Sequence, residues 1–402
     1  MNISRQPSLF EDMRLSFREA IDISLASLSA YGDRYSRWCI AYSGGKDSSA
    51  TVSFVQWAIK TGQVKAPETL TVLYADTRQE LPPLSATAMR LLEGLRGEGV
   101  DARVVLPTLN DRFYVYMFGR GVPPPSNRFR WCTSQLKIEP MEAALKAMRE
   151  TDGEKFLQIT GVRLGESAVR DARIALSCSK DSGECGQGWF QSRPSEHVAD
   201  TLAPIVHWRL CFVWDWLYFA NDERYMRSIV KMEQPGHGYD YLADIAAVYG
   251  DDEARTGCIG CNLASRDTAL ENLVQTPEWA HLQPLMEIKP LFAELKKPKW
   301  RHRKSAPGIL KDGSYAKNGQ RMGPLTMDGR AYGLERVLDI QHRAQVDLIN
   351  AEEETRIREQ WAQGLFPDGW TGDEIHADVP IDRITAIDGE LIVQPLLLRG
   401  DE

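Results

Sequence analysis

The apolar run Trp38-Cys39-Ile40-Ala41-Tyr42 leads straight into Ser43-Gly44-Gly45-Lys46-Asp47-Ser48, and residues 48–59 then carry apolar side chains on one helical face. This is strand, glycine turn, helix. A turn that follows a buried strand and opens a helix aims several backbone N–H groups, and the positive end of the helix dipole, at one point. That point suits an anion. Gly44 and Gly45 let the backbone approach phosphate oxygens, Lys46 adds a positive charge, and the Ser43 and Ser48 hydroxyls can donate to them. Asp47 suits a Mg²⁺ ion beside the phosphates. The order is not that of a Walker A loop, because Asp47 stands where Ser or Thr should follow the lysine, and it is not a G-x-G-x-x-G turn. A polar turn with no ligand is the alternative, which six matching positions in this context disfavour.

Around this turn the pattern predicts strands at 69–75, 102–106 and 156–160, alternating with helices at 82–95 and 138–149, behind a leading helix at 11–31. Such alternation implies an α/β fold with a doubly wound parallel sheet. Loops at the carboxyl ends of its strands face the ligand crevice, which puts the Ser43 turn and Asp76-Thr77 on one side. Residues 173–204, rich in glycine, serine and cysteine, read as an ordered loop around a site or a lid. Beyond Cys261 the pattern is mostly helical, at 328–348 and 352–363, with a strand-like tail at 387–398. A boundary near Thr276 divides the chain into 1–275 and a mostly helical 276–402.

The 402 residues, 43% hydrophobic, suffice for one large α/β domain and a smaller unit. A net charge of −8 means that any polyanion site must be concentrated somewhere. The basic segment 296–304, six Lys or Arg in nine positions with Trp300 among them, is one place: its cations could neutralise nucleic-acid phosphates while Trp300 stacks on a base, or it is a solvated face. No signal peptide and no run of membrane-spanning length is apparent, and the most apolar stretch, 210–220, is broken by Asp215; a cytoplasmic protein without membrane contact is expected. Seven cysteines include Cys258-x-x-Cys261, a metal or redox pattern in a reducing compartment. Four thiolates close a zinc site or hold a [4Fe–4S] cluster, and Cys178 with Cys185 supply the second pair. Cys39, in a strand, and Cys211, in an apolar run, read as core residues.

The loop resembles the PP-loop of ATP pyrophosphatases and of the phosphoadenylylsulfate reductase superfamily, whose fold is adenine nucleotide alpha hydrolase-like. Asp76-Thr77 and Glu80 match its acidic strand end near the adenosine, Arg130-Trp131-Cys132-Thr133 with Leu136-Lys137-Ile138-Glu139-Pro140 resembles its cysteine-lysine-x-glutamate-proline block, and Gly161-Val162-Arg163 with Glu166-Ser167 and Arg170 resembles its glycine-arginine-serine block. The likeness spans most of the first 270 residues. Within the superfamily the chain is similar to the ATP pyrophosphatases of DNA phosphorothioation systems, the DndC/SspD type, through the Trp131 block, Leu202-Ala203-Pro204-Ile205, Val213-Trp214-Asp215-Trp216-Leu217 and Gly257-Cys258-Ile259-Gly260-Cys261. It departs from DndC in its short length and in lacking extra cysteines just before the C-x-x-C.

The resemblance implies an enzyme that binds ATP and Mg²⁺ through Ser43, Gly44, Gly45, Lys46, Asp47, Ser48, Asp76, Thr77, Arg163 and Arg170, with Lys46, Asp47, Cys132 and Arg163 in catalysis. The arginines would clamp a second phosphate. It places an iron–sulfur cluster ahead of zinc on Cys178, Cys185, Cys258 and Cys261, with Cys132 either a further ligand or a sulfur carrier. The reaction it implies is adenylation of a substrate oxygen for sulfur transfer to the DNA backbone, with a cysteine desulfurase as sulfur donor and other modification proteins as partners. The rivals are a sulfonucleotide reductase, which would need a mobile cysteine after Cys261, and a non-catalytic nucleotide-binding subunit associated with DNA. Oligomeric state is not legible.

Overall fold

The structure is a computed structural model that describes residues 15–166, 171, 172, 174, 183, 184, 189–193, 197–249, 257–261, 266–309, 313–316, 319–387 and 390–395. Helix α1 (Phe17–Gly32) starts at a capping box in which the Ser16 hydroxyl accepts from the Glu19 backbone and the Glu19 carboxylate accepts from the Ser16 N–H. Then come β1 (Arg37–Tyr42), α2 (Lys46–Lys60), β2 (Thr69–Ala75), α3 (Pro82–Gly97) and β3 (Asp101–Val105). A short helix α4 (Trp131–Thr133), a π-type turn (Ser134–Ile138) and α5 (Glu139–Asp152) follow one another without a break and lead to β4 (Phe156–Ile159). Strands β1 to β4 and helices α2 and α3 lie where periodicity puts them, within about two residues; α5 runs three residues past the expected end, and periodicity does not predict α4 with its π-type turn.

Three more strands, β5 (Gly183–Glu184), β6 (Trp189–Gln191) and β7 (Ala199–Ala203), complete a sheet of order β3-β2-β1-β4-β7-β6-β5. The pairings from β3 through β7 are parallel, and β6 and β5 add on antiparallel. The stretch read as a loop or lid thus carries the sheet's far edge, in strands too short to show a period. Arg170, Ser167, Cys178 and Cys185 lie outside the described residues.

Successive side chains of a strand point to opposite faces. Trp38, Ile40 and Tyr42 of β1 join a core with α1, α2 and α3, while Cys39 packs with Leu73, Met141, Leu145 and Phe156 beneath α5. Cys39 is a core residue, as expected. Cys211 is not: it opens helix α6 (Leu210–Phe219), whose buried side is Phe212, Val213, Trp214, Trp216 and Leu217, and the thiol is exposed. An apolar run wound into a helix still has an outer face. Among the described residues no helix is long and apolar enough to cross a membrane.

Helix α7 (Asp244–Tyr249) follows, and the C-terminal part, mostly helical, contains α8 (Ile288–Leu295), α9 (Met327–Ala344) and α10 (Ala351–Ala362), with two antiparallel pairs, β8 (Arg301–Arg303) with β9 (Met322–Leu325) and β10 (Arg383–Ile387) with β11 (Glu390–Gln394). The apolar core runs on across Thr276: the Phe113 and Phe292 rings lie 5.7 Å apart, and the Trp361 indole donates to the Phe118 carbonyl at 2.8 Å.

Candidate functional site

Strand β1 pairs with β2 on one side and β4 on the other, so the strand order reverses there, and ligands of open α/β sheets bind at such a point. Gly44, at φ +74°, turns the chain out of β1 into α2, and a Cβ there would meet the Tyr74 ring at 3.3 Å. The Ser43 and Ser48 hydroxyls lie 3.0 Å apart, and Ser48 also donates to the Gly45 carbonyl, so both brace the loop. Lys46 is 8% exposed. Its Nζ lies 3.4 Å from Asp47 Oδ2 and 4.7 Å from the centre of the Tyr249 ring, and its backbone N–H donates to the Tyr249 hydroxyl at 3.4 Å. No motif announces Tyr249, which ends α7.

The other Asp47 oxygen accepts from Arg163 Nε at 2.5 Å. Its carboxylate, expected beside Mg²⁺, therefore joins Lys46 to Arg163, and Arg163, expected on a second phosphate, is anchored at the first loop. The contact depends on Gly161, where a Cβ would lie 2.9 Å from the Asp47 carbonyl group and the Ser48 nitrogen. Gly161→Ala is expected to push the loop after β4 off the start of α2 and to cost about 1–3 kcal/mol, the usual scale of overpacking. Urea unfolding measures this; an unchanged midpoint would mean that the backbone there yields freely.

At the carboxyl end of β2, Asp76 Oδ1 accepts from the Arg78 N–H at 2.8 Å, and the Thr77 hydroxyl donates to Glu80 Oε1 at 2.8 Å. The cysteine loop is tied to this strand end by the Ile259 N–H, which donates to the Gln79 carbonyl at 2.7 Å. Burial pushes the Cys258 thiol up to about 11, against the pull of the Lys137 ammonium beside it. Burial also raises Cys132, and the neighbouring Cys261 raises it further. Lys137 is raised by the thiol groups around it, Cys258 foremost, and its Nζ lies 3.9 Å from a Glu80 carboxyl that burial raises. Cys132, Cys258 and Cys261 thus all lie within electrostatic reach of Lys137, and the Cys258 loop meets the same strand-end edge of the sheet as the glycine loop. Among the described residues no group of three or more His, Cys, Asp or Glu is arranged to hold a metal ion.

Beside the thiols a cleft of about 440 Å³ is lined by Asp76, Glu80, Ile259, Val346, Asp347 and Leu348, so its outer wall belongs to the C-terminal part. Arg78, held at φ +57°, spans the gap: its guanidinium meets Asp347 at 2.9 Å and the buried Glu353 at 3.1 Å. Arg112 meets Glu353 from another side at 3.3 Å. This wall has no sequence motif.

Three of the six cations in the basic segment 296–304 have carboxylate partners. Lys297 and Lys299 pair with Glu294 at 2.6 and 2.8 Å, and Lys304 pairs with Glu374 at 2.6 Å. Arg301 is buried, with its guanidinium on the Gly323 carbonyl, and Trp300 stacks on Tyr332 at 4.8 Å. The Trp300 ring thus already has a stacking partner and Arg301 is turned into the fold, while Lys297 and Lys299 stay exposed beside Glu294.

Residues 37–227 match the phosphoadenosine phosphosulfate reductase domain family. The match supports the PP-loop and phosphoadenylylsulfate reductase superfamily for this segment, and with it an enzyme of that type. A curated relative, an uncharacterized protein of Methanocaldococcus jannaschii, is 26% identical over 185 residues, 46% of this chain. The chain spans 36% of that relative's length. A solved structure, phosphoadenylyl-sulfate (PAPS) reductase from Candida auris in a phosphate complex, aligns over 58% of this chain and 86% of its own at 12% identity, with a TM-score of 0.31.

Proposed function

We propose that the chain is an ATP pyrophosphatase that adenylates a substrate oxygen for sulfur transfer, and that the substrate is the DNA backbone in phosphorothioate modification. The observation that carries this reading is the glycine loop at the sheet's switch point, its Lys46 buried against Asp47 and Tyr249, opening on the same edge as three gathered thiols. A non-bridging oxygen of a phosphodiester attacks the α-phosphorus of ATP, the bond to the β-phosphate breaks, and pyrophosphate leaves into the N–H groups of the loop and the Lys46 ammonium. Mg²⁺ would offset charge on the triphosphate.

A cysteine desulfurase supplies sulfur as a persulfide on one thiol of the Cys132, Cys258, Cys261 group. Its terminal sulfur attacks the activated phosphorus and AMP leaves. A second thiol then breaks the S–S bond, which leaves a phosphorothioate and a disulfide that a cellular thiol reductant resets. A [4Fe–4S] cluster or zinc, with Cys178 and Cys185 completing the set, is the alternative use of Cys258 and Cys261; the described side chains do not by themselves form such a site, and no step is derived through it. The match at 37–227 favours a second reading, a sulfonucleotide reductase, which leaves ATP intact.

Anaerobically purified protein, incubated with ATP, Mg²⁺, DNA and a desulfurase with cysteine, is expected to yield AMP and pyrophosphate. Intact ATP together with reduction of phosphoadenylylsulfate would establish the reductase instead, and ADP with phosphate would exclude both.

A further inference from the structure

One cationic stretch of the surface has arginines with no carboxylate partner among the described residues. Residues 126–129 form a tight turn in which the Ser126 and Phe129 backbones exchange hydrogen bonds at 3.1 and 3.0 Å. Pro123, Pro124 and Pro125 enter it, and their fixed φ leaves little freedom. On the other side Trp131 donates to the Pro123 carbonyl at 3.1 Å and stacks on Phe113, with ring centres 5.2 Å apart. The tip is held rigidly from both ends.

Asn127, Arg128, Phe129 and Arg130 are all exposed there, Phe129 at 48%. Arg130 Nε donates to the Asn127 carbonyl at 3.2 Å, and among the described residues neither Arg128 nor Arg130 has a carboxylate partner. Arg120, likewise without a carboxylate partner among them, lies 5.6 Å from the Tyr116 ring, itself 4.9 Å from the Trp131 ring. In a chain of net charge −8, uncompensated guanidiniums on both sides of an exposed phenyl ring mark a surface for an anionic, aromatic ligand. Guanidinium forks pair with phosphates, and an aromatic side chain accepts any base on its face. Cys132 follows Arg130 by two positions.

We propose that the turn at 126–130 docks a single nucleic-acid strand, with Arg128 and Arg130 on backbone phosphates and Phe129 against a base, so that a phosphodiester is presented beside Cys132. This rests on the function proposed above and names where its polymeric substrate is held. Anisotropy of a fluorescein-labelled single-stranded DNA oligonucleotide, followed over a salt series, tests it without turnover. Arg128→Gln with Arg130→Gln should flatten the log–log salt slope by about 1.4, at about 0.7 for each single-strand phosphate no longer neutralised. Phe129→Ala should keep the slope but weaken binding roughly tenfold, because stacking is insensitive to salt. Lys297→Gln with Lys299→Gln should change neither. The proposal is overturned if the wild type does not bind, if the arginine pair leaves the slope unchanged, if Phe129→Ala binds as tightly as wild type, or if the lysine pair has the same effect as the arginine pair. AMP formation from ATP by the wild type separates the two readings: AMP formed by a wild type that does not bind the oligonucleotide overturns docking alone, and docking without AMP formation removes the function proposed above.

Discussion

Replacing Lys46 with alanine is expected to lower the rate of pyrophosphate release by at least ~10²-fold, the scale seen when one preorganised group that stabilises developing charge is removed. The ammonium is buried, rests over the Tyr249 ring and touches Asp47, so little reorganisation is needed when charge builds on the departing pyrophosphate. Alanine leaves the loop's N–H groups in place, so ground-state binding of ATP should weaken less than turnover. Asp47 keeps Arg163 as its partner, which should leave the fold intact. Steady-state release and an equilibrium ATP titration on the same protein give the two numbers. Turnover equal to that of the wild type would remove the glycine loop from the chemistry.

Replacing Glu353 with alanine should destabilise the fold by about 3–5 kcal/mol, because breaking a buried ion pair strands the remaining charge. Here two guanidiniums lose their buried partner, since Arg78 and Arg112 both converge on a carboxylate that is 3% exposed and keep only the exposed Asp347 and Glu352. Glu353 also closes the capping box of α10 by accepting from the Asn350 N–H at 3.0 Å, so the box loses that half, while the residue 353 N–H still donates to Asn350 Oδ1. Glu353→Gln keeps the size and one acceptor and should fall between alanine and wild type. Urea midpoints of the three proteins decide this, and coincident curves would show that the pairing contributes nothing.

Strands β1 to β4 were legible because long periodic helices alternate with them; β2 runs over the expected residues 69–75. Strands β5, β6 and β7 were hidden, since two to five residues among glycine, serine and cysteine carry no period. At the site, the glycine loop announced itself through residue type and order. The partnership of Lys46 with Tyr249 joins positions 203 apart and left no local trace. The basic segment shows the same limit: a sequence counts charges but not their partners, and Glu374 lies 70 residues from the Lys304 it pairs with. The need for glycine at 161 shows only once the loop after β4 is seen to touch the first turn of α2.

The core that runs across Thr276 bears on how such a chain can be cut or recombined. The family match ends at residue 227, yet Phe113 and Phe118, inside it, are covered by Phe292, Gly333 and Trp361, which lie beyond it. The guanidinium of Arg330, wholly enclosed, is held by the Gly119 and Leu365 carbonyls, so one of its anchors belongs to the matched segment and the other to the region after it. A fragment stopping at 275 would open an apolar trough along the turn that leads to Arg128 and Cys132. A chimera exchanging only the matched segment would bring in side chains shaped for another cover. The heritable module is therefore larger than the family boundary: the segment around Phe113 and Phe118 and the helices that cover it have to vary together.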